Sequence, residues 1–252
     1  MSPLAACRGL SVTLGGRPVL TDVSLALHAS EILGVVGRSG EGKTTLLRAL
    51  LGLAAPSAGT VELGGEDLWA AHPRRRAELR RQVAIVFQGA ALFDSLTVAE
   101  NVGFFPTRVA RTRSADVARL VSEKLRLVGL DDIEGLRPSQ LSGGMAKRVG
   151  IARALAMEPR AILFDEPTAM LDPVARAQLE ELIVSLRDRV GCAAVVVSHD
   201  LESVARMADR IALLHDGTAA LELPSGEFVR SLDPRVREMV APATGEEGAT
   251  RD

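Results

Sequence analysis

The chain has no tyrosine, one tryptophan (Trp69) and only 3% aromatic residues. That scarcity bears on any site that must stack a nucleobase. Cysteine is nearly as rare: Cys7 and Cys192 stand apart in short apolar, strand-like stretches without ligand spacing. They are expected to be reduced core thiols, which sets aside a disulfide framework and a zinc site. Neither charge sign dominates, because 30 Lys and Arg face 32 Asp and Glu for a net charge of -2. A coat for nucleic acid is thereby disfavoured, and no nucleic-acid partner is expected. Long apolar runs are missing too: Ala193 to Val197 and Ile211 to Leu214 fall far below the roughly 20 residues that cross a bilayer. Any membrane role must come through a partner. Met1 to Leu10 has no apolar block followed by a small-residue cleavage site, so the chain is expected to stay in the cytosol. No internal repeat, heptad run or low-complexity linker stands out.

A length of 252 residues with 47% hydrophobic and 25% charged content suits one large α/β unit with a buried core. Apolar residues alternate on either side of Gly15-Gly16, which predicts an antiparallel hairpin. From Ile32 onward the pattern changes to short β-rich runs: Ile32 to Val36, Val83 to Phe87, Ile162 to Phe164, Val195 to Val197 and Ile211 to Leu214. Such runs, apolar on both faces, predict buried strands of a mainly parallel sheet. Between Thr97 and about Met157, Val117, Leu120, Val121, Leu125 and Val128 recur at helical spacing, and Thr97 with Glu100 forms a capping-box signal. This is expected to be a helical insert. A short helix should run from Pro234 to Val240, followed by a frayed tail from Ala243 to Asp252.

Gly37-Arg38-Ser39-Gly40-Glu41-Gly42-Lys43-Thr44 fits the Gly-x4-Gly-Lys-Ser/Thr pattern, between an apolar strand and the helical run that begins at Thr45. Glycines let the backbone curl until successive N–H groups point at phosphate oxygens, and the following helix adds the positive end of its dipole. Lys43 would reach the β- and γ-phosphates, while Thr44 would offer a hydroxyl to Mg²⁺. Without strand, loop and helix in place, the same residues would read as a glycine-rich turn.

Ala161 to Glu166 ends an apolar strand in two carboxylates, at the sheet edge where open α/β folds bind ligands. Asp165 would hold Mg²⁺ through water, and Glu166 would orient the attacking water. His199 ends a second such run and could hydrogen-bond a γ-phosphate oxygen. His28, His72 and His215 lack such neighbours and read as surface or strand-end residues. Asp172-Pro173 reads as N-cap and first-turn proline of a helix reaching Arg189.

Leu141-Ser142-Gly143-Gly144-Met145 precedes that acidic pair and opens a helix, leaving a hydroxyl, bare N–H groups and a dipole facing outward. This resembles the signature motif of ABC ATPases. The likeness runs through the chain in order: phosphate loop, Gln88 after a strand, signature, Asp165-Glu166, Asp172 and His199. It implies a P-loop α/β fold with a mainly parallel core sheet, an antiparallel N-terminal subdomain and an inserted helical subdomain at about residues 89–158. The ATPase domain would span 1–240 and a flexible tail 241–252. The resemblance further implies an ATPase using ATP and Mg²⁺, with Gln88 sensing the metal. It would form a head-to-tail dimer in which Ser142, Gly143 and Gly144 meet the partner's nucleotide and Asp172 lies at the seam. Its site would be the cytoplasmic face of the inner membrane, docked on integral-membrane permease subunits.

A narrower likeness rests on Met145 in place of the usual signature glutamine, on Phe87 to Phe93, and on Asp233 to Arg237. These resemble the ATPase of Mla/Mce-type systems, which implies phospholipid transport with Mce-type substrate-binding and small regulatory subunits. The sequence departs from the family at the base site: where an aromatic ring usually stacks adenine, the hairpin offers Val12, Thr13 and Leu14. An apolar, weakly selective base contact is expected. Met170 is also unusual, but Asp172 beside it is retained. The ATPase of another ABC importer or exporter is the alternative within the transport class, and two other classes compete with a transport motor: a non-transport ABC ATPase such as an iron–sulfur assembly component, and a subunit that senses ATP without hydrolysing it. The joint presence of Glu166, His199 and Ser142 argues against the second.

Overall fold

The computed structural model describes residues 2–240. Strands β1 (Ala5–Leu14) and β2 (Arg17–Leu27) form the expected hairpin. Gly15 and Gly16 take positive φ, 56° and 79°, as a two-residue hairpin turn requires. Next come β3 (Ile32–Val36), α1 (Lys43–Leu50), β4 (Ala58–Leu63), β5 (Glu66–Asp67), α2 (Pro73–Arg80) and β6 (Val83–Val86). A helical stretch follows with α3 (Val98–Val102), α4 (Phe104–Arg108), α5 (Ser114–Leu127), a 3₁₀ turn at Pro138–Gln140 and α6 (Gly143–Leu155). The chain returns through β7 (Ala161–Asp165), α7 (Pro173–Val190), β8 (Ala193–Ser198), α8 (Leu201–Met207), β9 (Arg210–His215), β10 (Thr218–Pro224), α9 (Ser225–Phe228) and α10 (Pro234–Val240).

The strands make a four-stranded antiparallel sheet, β2-β1-β4-β5, and a six-stranded sheet, β10-β9-β3-β8-β7-β6. In the larger sheet β9, β3, β8, β7 and β6 run parallel, and only β10 is antiparallel. Successive side chains of its central strands enter different cores. Ile32, Phe164 and Val196 join a cluster with α6, α7 and α8, while Leu33, Leu163 and Val195 join α1 and the antiparallel sheet. Both faces are covered, which is why these strands read as unbroken apolar runs.

The helical stretch after β6 has no separate core among the described residues. Val98, Val121 and Leu125 lie in one cluster with Phe164 and Val196 of the sheet. The Thr97/Glu100 capping box forms as the sequence indicates, but its helix closes after five residues, with Gly103 as its cap. Asn101, fully buried, holds the preceding loop by accepting from Phe93 N and donating to the carbonyls of Phe93, Leu96 and Thr97. Helix α10 occupies the expected residues; the expected tail, 243–252, lies outside the described residues. Among the described residues no helix is long and apolar enough to cross a membrane.

Candidate functional site

Because its strands run parallel, the six-stranded sheet presents the carboxyl ends of β3, β6, β7, β8 and β9 along one edge. From β3 the chain enters the Gly37–Gly42 loop. A Cβ on Gly37 would stand 2.4 Å from Leu214 O, and one on Gly42 2.7 Å from Leu20 Cδ2. Gly42 also has φ 96° and caps α1 without a side-chain hydrogen bond. Only glycine fits either place. Lys43 bends back across the loop, its Nζ donating to Gly37 O at 2.7 Å and to Arg38 O at 2.9 Å. Burial pulls its pKa down, while the charges of Glu166, Asp165 and Glu41 act in the opposite sense.

The two carboxylates at the end of β7 are held apart by the backbone. Glu166 has φ 49°, a left-handed conformation, directly after the extended Asp165. Asp165 faces Thr44, whose Oγ1 donates to Asp165 Oδ1 at 3.1 Å. Burial raises the Asp165 pKa, the Thr44 hydrogen bond lowering it in part. Glu166 turns instead toward β8. It accepts from Ser198 Oγ at 2.9 Å and His199 N at 3.1 Å, with His199 Nδ1 3.0 Å from Oε1. Lys43 Nζ is 4.0 Å from the same carboxylate. Lys43, Thr44, Asp165, Glu166 and His199 therefore form one constellation. Ser198 belongs to it as well, although the sequence offered only its place at a strand end beside His199.

Other expected site residues stand farther off. The Arg38 side chain turns to Glu238 of α10 at 2.8 Å, so only its backbone serves the loop. Glu41 is drawn toward His215, with Oε1 and Nδ1 3.6 Å apart, giving that histidine a neighbour the sequence did not suggest. Ser39 and Gly40 are exposed, and Thr45 is buried. Gln88 lies exposed in the turn after β6, and its side chain makes no hydrogen bond among the described residues. Val12 is fully buried and cannot touch a base, which corrects that part of the expected apolar contact. It is an inward-facing residue of β1, whereas Leu14, at the strand end, is 45% exposed.

Ser142, Gly143 and Gly144 open α6. Ser142 caps the helix, its Oγ accepting from Met145 N at 3.2 Å. With Met145, Met170 and Asp172 they line a cleft of about 320 Å³. Asp172 caps α7, accepting from Val174 N and Ala175 N at 3.0 Å each. No residue of the phosphate loop lines this cleft. The structure thus builds a loop able to cradle phosphates and, apart from it, a helix terminus able to meet an anion.

Sheet, loop and acidic strand end define a P-loop nucleotide-binding ATPase fold. The profile of the ABC transporter family matches residues 20–169. The chain is 41% identical over 233 residues to the methionine import ATP-binding protein MetN of Caulobacter vibrioides, covering 92% of this chain and 70% of that one. Methionine import ATP-binding proteins of other bacteria are also among its relatives. It is 37% identical to the chloroplastic protein TRIGALACTOSYLDIACYLGLYCEROL 3 of Arabidopsis thaliana, covering 96% and 74% of the two chains. A dimeric, post-hydrolysis structure of the ATP-binding cassette MJ0796 with ADP and Pi superposes with TM-score 0.78 and 30% identity, over 88% of this chain and 98% of that one. The chain belongs to the ABC transporter family and is its ATP-binding, ATP-hydrolysing subunit.

Proposed function

We propose that this subunit works as half of a head-to-tail pair and powers lipid transport through membrane permease subunits, at the cytoplasmic face of a bacterial inner membrane. The observation that carries the paired arrangement is that the cleft at the Ser142 helix end takes no lining residue from the Lys43 loop of the same chain. Each is an incomplete anion site, and a second copy turned end for end would complete both. Gly37 to Thr45 then hold the triphosphate by backbone N–H groups, with Lys43 exchanging loop carbonyls for phosphate oxygens. Ser142, Gly143 and Gly144 meet the nucleotide of the other copy, with Asp172 at the seam.

The Thr44 and Asp165 oxygens, 3.1 Å apart, form a hard-donor pair that fits Mg²⁺. Gln88, exposed in the turn after β6, would add its side-chain oxygen to that donor set. When bound, Mg²⁺ would neutralise charge on the phosphate oxygens. Glu166, held by Ser198 and His199 N, orients and polarises the attacking water. His199, 60% exposed at its side chain, donates toward the γ-phosphate. Catalysis here consists of positioning and charge stabilisation.

For the cargo, Met145 in the signature, the 87–93 and 233–237 segments and the lipid in the Arabidopsis relative's name support an Mla/Mce-type role. Mce-type substrate-binding and small regulatory subunits would then complete the complex. The methionine import relatives favour a second reading, an importer of a small polar solute. Purifying the chain with its membrane partners and analysing co-purified lipid separates them. Stoichiometric phospholipid supports the first reading; lipid-free complexes whose ATPase responds to a small solute support the second.

A further inference from the structure

Few backbone hydrogen bonds hold the turn after Glu166. Ala169 N reaches Glu166 O at 3.3 Å, and Leu171 N reaches Thr168 O at 3.4 Å. Glu166 and Met170, with φ 49° and 62°, are both left-handed, a conformation that persists only where the surroundings impose it. Part of that constraint comes from Thr168 Oγ1, which meets Ser203 Oγ at 3.1 Å. The rest comes from α6. Lys147, only 8% exposed, reaches out of that helix, and its Nζ donates to Pro167 O at 2.5 Å and to Ala169 O at 2.7 Å.

This is an unusual place for an ammonium. Lys147 forms no ion pair among the described residues, and burial lowers its pKa, with the charge of Glu166 acting against that shift. A buried ammonium is tolerated only where acceptors satisfy it, and the acceptors here are the carbonyls of Pro167 and Ala169, one and three residues after Glu166. The same helix begins at Ser142, and the same turn continues into Leu171 and Asp172, which line the cleft with Ser142. One side chain thus joins the signature end of α6 to the turn that sets Glu166.

We propose that Lys147 is a positioning residue: its grip on the Pro167 and Ala169 carbonyls fixes the Glu166 carboxylate and passes movement of the Ser142 end of α6 to it. This rests on the reading of Glu166 as the water-orienting group. Displacing such a group by about 1 Å costs on the order of 100-fold in rate without touching nucleotide binding.

The test uses the full chain and compares wild type, K147M, K147R and E166Q for ATPase kcat and KM, ATP affinity and melting temperature. K147M is expected to lower kcat roughly 10- to 100-fold while KM and ATP affinity stay within about threefold. K147R, which keeps charged donors, should recover most of the turnover. Normal turnover in K147M overturns the proposal, as does a loss of ATP affinity in step with kcat, or an equal loss in K147R. Should K147M not fold, K147Q takes its place, because the amide is too short to reach both carbonyls; unchanged turnover in it overturns the proposal. Lost turnover in E166Q beside normal turnover in K147M sinks the role of Lys147 alone. Retained turnover in E166Q sinks the reading of Glu166 on which that role rests.

Discussion

Asp165 and Glu166 are neighbours in sequence, yet one meets Thr44 and the other Ser198 and His199. A single left-handed residue at the strand end produces this division. Carboxylates after an apolar strand, a histidine after another and a lysine after a glycine loop were legible in the sequence. Their common cause is that buried parallel strands deliver their ends to one edge. Ser198 and Lys147 were not legible, because their importance lies in the partners that folding brings to them. Burial also governs the cysteines, pushing the Cys7 and Cys192 thiols from 9.0 up to about 11. A thiol that holds its proton in the fold but loses it near 9.0 when unfolded favours the unfolded state as pH rises between those values. Native protein is therefore expected to resist alkylation at pH 8 and to lose denaturant resistance above pH 9; rapid labelling of both thiols at pH 8 without unfolding would contradict this. At the base site, Val12 is withdrawn into the core and Leu14 offers only an exposed apolar side chain. Hydrolysis of ATP and GTP should accordingly differ in kcat/KM by less than about tenfold, a margin of roughly 1.4 kcal/mol. A larger preference would mean that another residue reads the base.

Helix boundaries decide where the functional groups of the elements point. Helix α7 begins where Asp172 caps two N–H groups and Pro173 fills the first turn, and it ends where Gly191 turns left-handed. The start was readable from residue type, and the expected reach to Arg189 falls one residue short of the observed Val190. The Asp172→Ala chain loses that cap, which costs about 1–2 kcal/mol. Its melting temperature should fall by roughly 2–8 °C in calorimetry, while D172N, which keeps an acceptor, should stay near wild type. No change in D172A would mean that water replaces the cap. The helical stretch after β6 was legible as helix but not in its breaks. Helical spacing marked α5, yet Gly103 separates α3 from α4, and α3 and α5 pack into the core of the sheet instead of a core of their own. Periodicity shows that a face is buried, not what buries it.

In the whole molecule, the cleft at the Ser142 end of α6 takes no lining residue from the Lys43 loop of the same chain, whose lysine is meanwhile satisfied by the loop's own carbonyls. In the proposed pair each is completed by the other copy, and catalysis is then a property of two copies. The sequence carried both half-sites as motifs but could not show that no loop residue reaches the cleft, since that depends on how α6 packs between α5, α7 and the sheet. The most direct measurement is a structure of the Glu166→Gln chain trapped with ATP and Mg²⁺. The expected result is a two-fold pair in which Lys43 of one copy and Ser142 of the other lie within hydrogen-bond reach, about 3 Å, of the same triphosphate. A nucleotide bound at Lys43 with Ser142 of every copy turned to solvent would contradict the account.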